Sequence, residues 1–260
     1  MPFADPDDWL DLTLCEKAAR KIEETNADVV YFRGFRERCE GGSRPTHKFD
    51  STLPDVCVTP GNCADLIRSC QAPWLKFWKS EFLLGHQIRF SEGKRPHNDV
   101  FHNWKGCILA RRIAILDEIL YHNRRSRPGS YQTSLGQSHF VIVDTMNEIG
   151  TWLRESGNYE EYRNIFLSSK LDNFRRKYIA LPNQYRPAFR ELVLNALSEE
   201  DRHFLRSSCK RKVQAFYRML ERQGLVETAM FWCTAELARL RFRFIYQWLV
   251  RPFRRLQADR

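Results

Sequence analysis

Across its 260 residues the sequence has no glycine-rich phosphate turn, no GxSxG, no HExxH and no Cys-x-x-Cys pair, so the short motifs of nucleotide, serine-hydrolase and zinc chemistry are missing. It has no repeat of fixed period. It also lacks a long uncharged apolar run: Ala229 to Val250 carries Glu236, Arg239, Arg241 and Arg243, charges that are costly at the centre of a bilayer. No transmembrane span is expected. Nor do the first thirty residues read as a secretory leader, because Asp5, Asp7, Asp8 and Asp11 stand where one would be apolar.

What is present points to a packed, basic protein. Apolar residues make up 43%, with 18 Phe, 9 Tyr and 7 Trp, enough large side chains to oppose the entropy of ordering. The net charge is +10 and is carried mostly by arginine, which suits phosphate or carboxylate partners. An anionic partner such as RNA or DNA and a protein partner are both expected, with self-association as an option. Of eight cysteines, Cys15, Cys107, Cys209 and Cys233 fall in helical apolar patterns as small hydrophobes, which suggests a reducing, intracellular location, cytoplasmic or nuclear.

Apolar spacing predicts a mainly α-helical bundle with a long N-terminal loop region and at most a small β element. The expected divisions are an acidic arm and first helix over 1–33, a loop over 34–61 and a helical body over 62–260, with the basic loop 123–137 as a subdivision. Val29 to Phe32 is β-prone. Pro73 should open a helix in which Trp74, Phe77 and Trp78 share the core face while Lys76 and Lys79 lie opposite. A long helix is predicted from Asp99 to His122, with Arg112 between its two apolar stripes and Asp144 or Glu148 as ion-pair partners. Phe140 to Val143 is read as the start of a helix. Further helices are expected over 159–166, 171–179 and 187–196. Ser198 to Asp201 resembles a capping box that opens a helix with Leu205, Cys209, Val213, Phe216 and Leu220 on one face, ending at Gly224. A last helix spans Val226 to Val250.

Candidate chemistry is sparse. Cys57, Cys63 and Cys70, with Cys39 upstream, and the group His97, His102 and Cys107 lack the spacing of zinc ligands. No metal and no cofactor is expected. Glu118 and His122 would share a helix face, as a solvated pair in the absence of a second ligand segment. The basic clusters Arg124, Arg125, Arg127 and Arg211, Arg218, Arg222 would suit a phosphate backbone. Phe231, Phe242, Ile245 and Leu249 form an apolar stripe on the last helix that could meet a partner. The preferred reading is a non-enzymatic helical adaptor or regulatory protein. Alternatives are a nucleic-acid-binding protein using the arginine clusters and an enzyme of unrecognised type.

Overall fold

The structure is a computed structural model, described here for residues 1–38, 43–45, 55–58, 66–67, 72–90, 97–125 and 136–222. The chain divides into two compact units, Met1–Arg186 and Pro187–Arg260.

Among the described residues the first unit is built on a six-stranded mixed sheet, not on helices alone, and this overturns the expected bundle. Its strands are β1 (Trp9–Leu10), β2 (Val29–Arg38), β3 (Ser43–Pro45), β4 (Val56–Val58), β5 (Lys76–Trp78) and β6 (Arg112–Arg125). The main path runs β1-β6-β2-β3, with β4 on β6 and β5 on β2. Strands β2 and β6 are parallel, from Val29 opposite Ile113 to Arg38 opposite Arg125. Parallel strands need a crossover between them. Here it includes β5, α2 (Ser80–Gly85) and α3 (Asn98–Leu109).

Val29, Val30, Tyr31 and Phe32 are all fully buried. That is the mark of a central strand covered on both faces, and such strands read as continuous apolar runs. Helix α1 (Leu14–Thr25) buries Leu14 and Ala18, and its Lys17 pairs with Glu118 of β6 at 2.5 Å. The register of β2 against β6 shifts between Phe32 and Gly34. Gly34 is required there: a Cβ would stand 2.7 Å from the Tyr121 carbonyl oxygen, closer than packed atoms tolerate.

Several helical expectations are corrected by this sheet. The helix foreseen from Asp99 to His122 is α3 followed by β6. Arg112 is therefore an exposed strand residue whose Nε donates to the Thr25 carbonyl at 2.8 Å, not a buried helix cation paired with Asp144 or Glu148. Pro73–Leu75 is a 3-10 turn, and Lys76–Trp78 is a strand. The expected loop over 34–61 includes the end of β2 and the whole of β3 and β4.

Two further α-helices follow in the described part of the unit. The 3-10 turn Gln137–Phe140 opens α4 (Val141–Glu155), which the sequence indicated, and the two helices expected over 159–179 are one, α5 (Tyr159–Ala180). Helix α3 lies so close to β5 that a Cβ on Gly106 would meet the Trp78 ring at 2.5 Å.

The second unit holds most of α6 (Arg186–Asn195), then α7 (Glu199–Ser207) and α8 (Arg211–Arg222). The capping box is present: Ser198 Oγ accepts from the Asp201 N–H at 3.1 Å and the Asp201 carboxylate accepts from the Ser198 N–H at 2.9 Å. The single helix expected to run to Gly224 breaks after Ser207. Phe216 and Leu220 are buried on α8, as the apolar stripe requires. The helix expected over Val226 to Val250, with Phe231, Phe242, Ile245 and Leu249, lies outside the described residues. Among the described residues no helix is long and apolar enough to cross a membrane.

Candidate active site

A cluster of titratable groups forms in the first unit where α3 begins. His97 stands at the N-cap position with a left-handed backbone, φ 68°, a conformation uncommon outside glycine that histidine adopts more readily than most side chains, as asparagine and aspartate do, and that recurs at functional sites. Asp99 follows in the first helical turn, where the nearby backbone N–H groups of Val100 and of Asp99 itself favour the ionised carboxylate. A helix start favours negative charge. Burial opposes it and prevails, raising the Asp99 carboxyl above the usual carboxylate range, while the charges of Lys76 and Lys177 pull it back.

Strand pairing delivers Lys76. It stands opposite Tyr31 in the antiparallel β2–β5 register, is fully buried, donates to the Ala72 carbonyl at 2.9 Å and lies 4.8 Å from the centre of the Tyr31 ring. Such a cation over an aromatic face is favourable when desolvated. The Tyr31 hydroxyl in turn meets Cys107 Sγ at 2.6 Å.

On the other side of the cluster, His139 of the 3-10 turn is buried. Its Nδ1 lies 3.2 Å from His97 Nε2 and 3.3 Å from Lys177 Nζ. Burial, with the Lys177 and His139 charges, lowers His97 to about 3. Burial also lowers Lys177, and the Asp99 charge partly restores it. His102 sits one helical turn after Asp99 in an aromatic box. Its ring stacks on Phe90 at 4.2 Å and meets Trp78 and Phe3 edge-on at 5.6 and 5.3 Å, and burial, with the Lys76 charge, lowers it to about 4. This is a desolvated carboxylate flanked by ammonium and neutral imidazole groups, suited to taking a proton from a substrate hydroxyl.

A second polar centre closes the end of β6. Asp8 accepts from the Tyr121 hydroxyl at 2.7 Å, Asn123 Nδ2 at 2.8 Å and the Arg124 N–H at 2.8 Å, and the Asp8 N–H bonds back to the Asp5 carbonyl at 3.1 Å. The turn also carries Asp5 and Asp7, whose carboxylates are hard oxygen donors of the kind magnesium or manganese prefers. Among the described residues no group of three or more His, Cys, Asp or Glu is placed to hold a metal ion.

The residues singled out from sequence are not brought together. Arg124 is exposed, with its guanidinium 5.5 Å from the centre of the Trp9 ring. Arg125 ends β6, and Arg127 lies outside the described residues. Arg211, Arg218 and Arg222 are exposed on α8 in the second unit, where Arg218 lines an open groove of about 340 Å³ beside Arg202 and Glu221. Arg202 is paired there with Glu221 at 3.3 Å. Glu118 and His122 do not share a helix face: they lie on β6, Glu118 with Lys17 and His122 with Glu37 at 3.0 Å. Of the cysteines, Cys57 and Cys107 are buried, and Cys63 and Cys70 lie outside the described residues. His97 and His102 do belong to the cluster. Asp99, Lys76, His139 and Lys177 were not signalled by any motif. Their proximity is tertiary, and only the helix start after His97 is local.

No protein-family model matches the chain. Two curated proteins match it, both named poly(ribitol-phosphate) beta-N-acetylglucosaminyltransferase TarS, from Staphylococcus aureus strains Mu50 and MW2. Each is 22% identical over 170 residues, 65% of this chain and 28% of the relative. The chain thus spans well under a third of the length of the curated relatives it matches. Among solved structures, S. aureus TarS crystallised with UDP-GlcNAc superposes with a TM-score of 0.46 at 17% identity, over 84% of this chain and 67% of that one. The form with UDP gives 0.41 at 18%, over 84% and 66%. These superpositions are too loose to establish a shared fold.

The matched sequences are enzymes, and this overturns the expectation of a non-enzymatic adaptor or regulatory protein. The nucleic-acid-binding reading falls with it. The enzyme alternative is the one these matches favour.

Proposed function

We propose that this chain takes part in glycosyl transfer, with Asp99 as the general base that deprotonates the acceptor hydroxyl. The observation that carries the reading is the place of the half-buried Asp99 carboxylate, in the first turn of α3 two residues after the left-handed His97, and burial there raises it above its ordinary range. A base must be strong enough to take the proton yet ionised at working pH, and a raised carboxyl serves both needs. In a single displacement the hydroxyl oxygen attacks the anomeric carbon as its proton passes to Asp99. The bond to the leaving group breaks on the opposite side. The sequence match to beta-N-acetylglucosaminyltransferases supports this reaction class, and the acceptor named for them, poly(ribitol-phosphate), is a polyol that presents hydroxyls.

The test is release of UDP from UDP-N-acetylglucosamine in the presence of poly(ribitol phosphate), with and without magnesium or manganese. Asp99→Asn keeps the shape and removes the base, so turnover should fall by about 10²–10⁴-fold. An Asp99→Asn variant as fast as the parent would remove Asp99 from the mechanism. A folded parent chain that transfers no sugar with either ion would overturn the reading of this chain as a transferase on its own.

A further inference from the structure

Resting on the transferase reading and naming the chemistry of its substrates, we propose that Lys177, His97 and His139 form a subsite for a phosphate ester beside Asp99. Lys177 Nζ and His97 Nε2 both approach one atom, His139 Nδ1, at 3.3 and 3.2 Å. An imidazole nitrogen has a single lone pair and an ammonium has three N–H donors, so Lys177 retains donors beyond the one it gives His139. His139 is buried, and Lys177 and His97 are half-buried.

Donors in such a place make strong charge-assisted bonds to an anion, and the compact ammonium of lysine is a recurrent phosphate ligand. His97 holds its ring there through a left-handed backbone, a conformation retained where the surroundings impose it and frequent at ligand clamps. Asp99 works against an anion. The charges of Lys76 and Lys177, which favour the ionised carboxylate, offset that repulsion. A phosphate ester can reach this corner from two sources, the acceptor or the diphosphate leaving group of the donor. The recognition chemistry is the same for both.

The full chain is titrated with glycerol 3-phosphate and, separately, with uridine diphosphate, while the imidazole resonances of His97 and His139 are followed by NMR. Glycerol and uridine serve as uncharged controls. At least one phosphate compound should shift both histidines, and Lys177→Met should weaken that binding by about tenfold or more. Lys177→Gln replaces it if the Met variant fails to fold. Equal binding by the parent and the folded variant, equal shifts from the uncharged controls, or no shift at all would each overturn the subsite.

Steady-state kinetics separate the sources: in the Lys177 variant a raised KM for the acceptor assigns the acceptor phosphate, and a raised KM for the donor assigns the leaving group. Failure of the base assignment is read independently. Asp99→Asn should keep the phosphate titration while losing turnover, so an active Asp99→Asn variant overturns the base and leaves the titration to judge the subsite.

Discussion

The Asp8 carboxylate lies 2.8 Å from Asn123 Nδ2 across 115 residues of sequence, and it joins the acidic N-terminal turn to the end of β6. The same carboxylate takes the Tyr121 hydroxyl and the Arg124 N–H. Removing one acceptor therefore strands three donors, two of them on buried residues, Tyr121 and Asn123.

Asp8→Ala should accordingly destabilise the protein by about 2–4 kcal/mol, since each stranded buried donor costs about 1–3 kcal/mol before relaxation or water entry. Asp7→Ala, one residue away, should cost less, because Asp7 makes none of these three bonds. Denaturant unfolding of the two variants measures the difference. Equal losses would mean that the anchor is not Asp8.

Gly106→Ala tests the approach of α3 to β5. The added methyl would stand 2.5 Å from a fully buried Trp78 ring, so the helix or the ring must move. Overpacking of this kind costs about 1–3 kcal/mol, which outweighs the ~1 kcal/mol that Ala gains over Gly by helix propensity. A variant with a raised Tm would show that α3 sits farther out.

How much of this was legible in the sequence follows from periodicity. The cap at Ser198 and the buried face of α8 were readable because both are local and one face of the helix is exposed. Strand β6 was not. In Arg112 to Tyr121 the apolar residues Ile113, Ala114, Ile115, Leu116, Ile119 and Leu120 are dense enough to satisfy a helical stripe, as a strand covered on both faces will. No glycine or proline marks the break at Ala110 and Arg111. Lys76 shows the consequence for the site. At helical spacing it falls on the solvent side, but a strand alternates with period two, which puts Lys76 on the same face as Trp78, fully buried. Asp99, His139 and Lys177 meet only through the packing of α3, the 3-10 turn and α5, and no spacing rule reaches that far.

In the second unit the buried face of α7 and α8 should dominate stability. Leu205→Ala should cost about 2–5 kcal/mol and Phe216→Ala about 3–5 kcal/mol, with Val213→Ala below the leucine value. Arg218→Ala, on the exposed side, should stay within about 0.5 kcal/mol. Thermal or denaturant unfolding would reject this orientation if Arg218→Ala cost as much as Leu205→Ala.

His102 should make the first unit acid-sensitive. Burial lowers it from 6.5 to about 4, so between those values the unfolded chain binds a proton that the folded chain does not. Stability is then full above about pH 6.5 and falls as the pH drops toward 4. His97 acts in the same direction down to about 3. Asp99 acts in the opposite one, because a raised carboxyl favours the folded state on protonation. The His102 share is isolated by difference: His102→Leu should lose less stability between pH 7 and pH 4 than the parent, in parallel denaturant titrations. An unchanged pH slope would show that His102 is hydrated or already paired.

The rate should report the charges around Asp99. A general base works only when ionised, so kcat/KM should fall as the pH drops through the Asp99 pKa, which burial places above the ordinary carboxyl value. Lys76 stabilises the ionised form by its charge. Replacing it by Met removes that charge, favours the protonated carboxyl and should move the acid limb of the profile to higher pH, with the high-pH plateau less affected than the limb. The Tyr31 ring also loses its cation, so folding of the variant is checked by its melting temperature. Lys79→Met is the control, because that side chain is substantially exposed and lies 3.8 Å from Glu81, and its profile should match the parent. An acid limb that stays in place in folded Lys76→Met would mean that the rate is governed by some group other than Asp99.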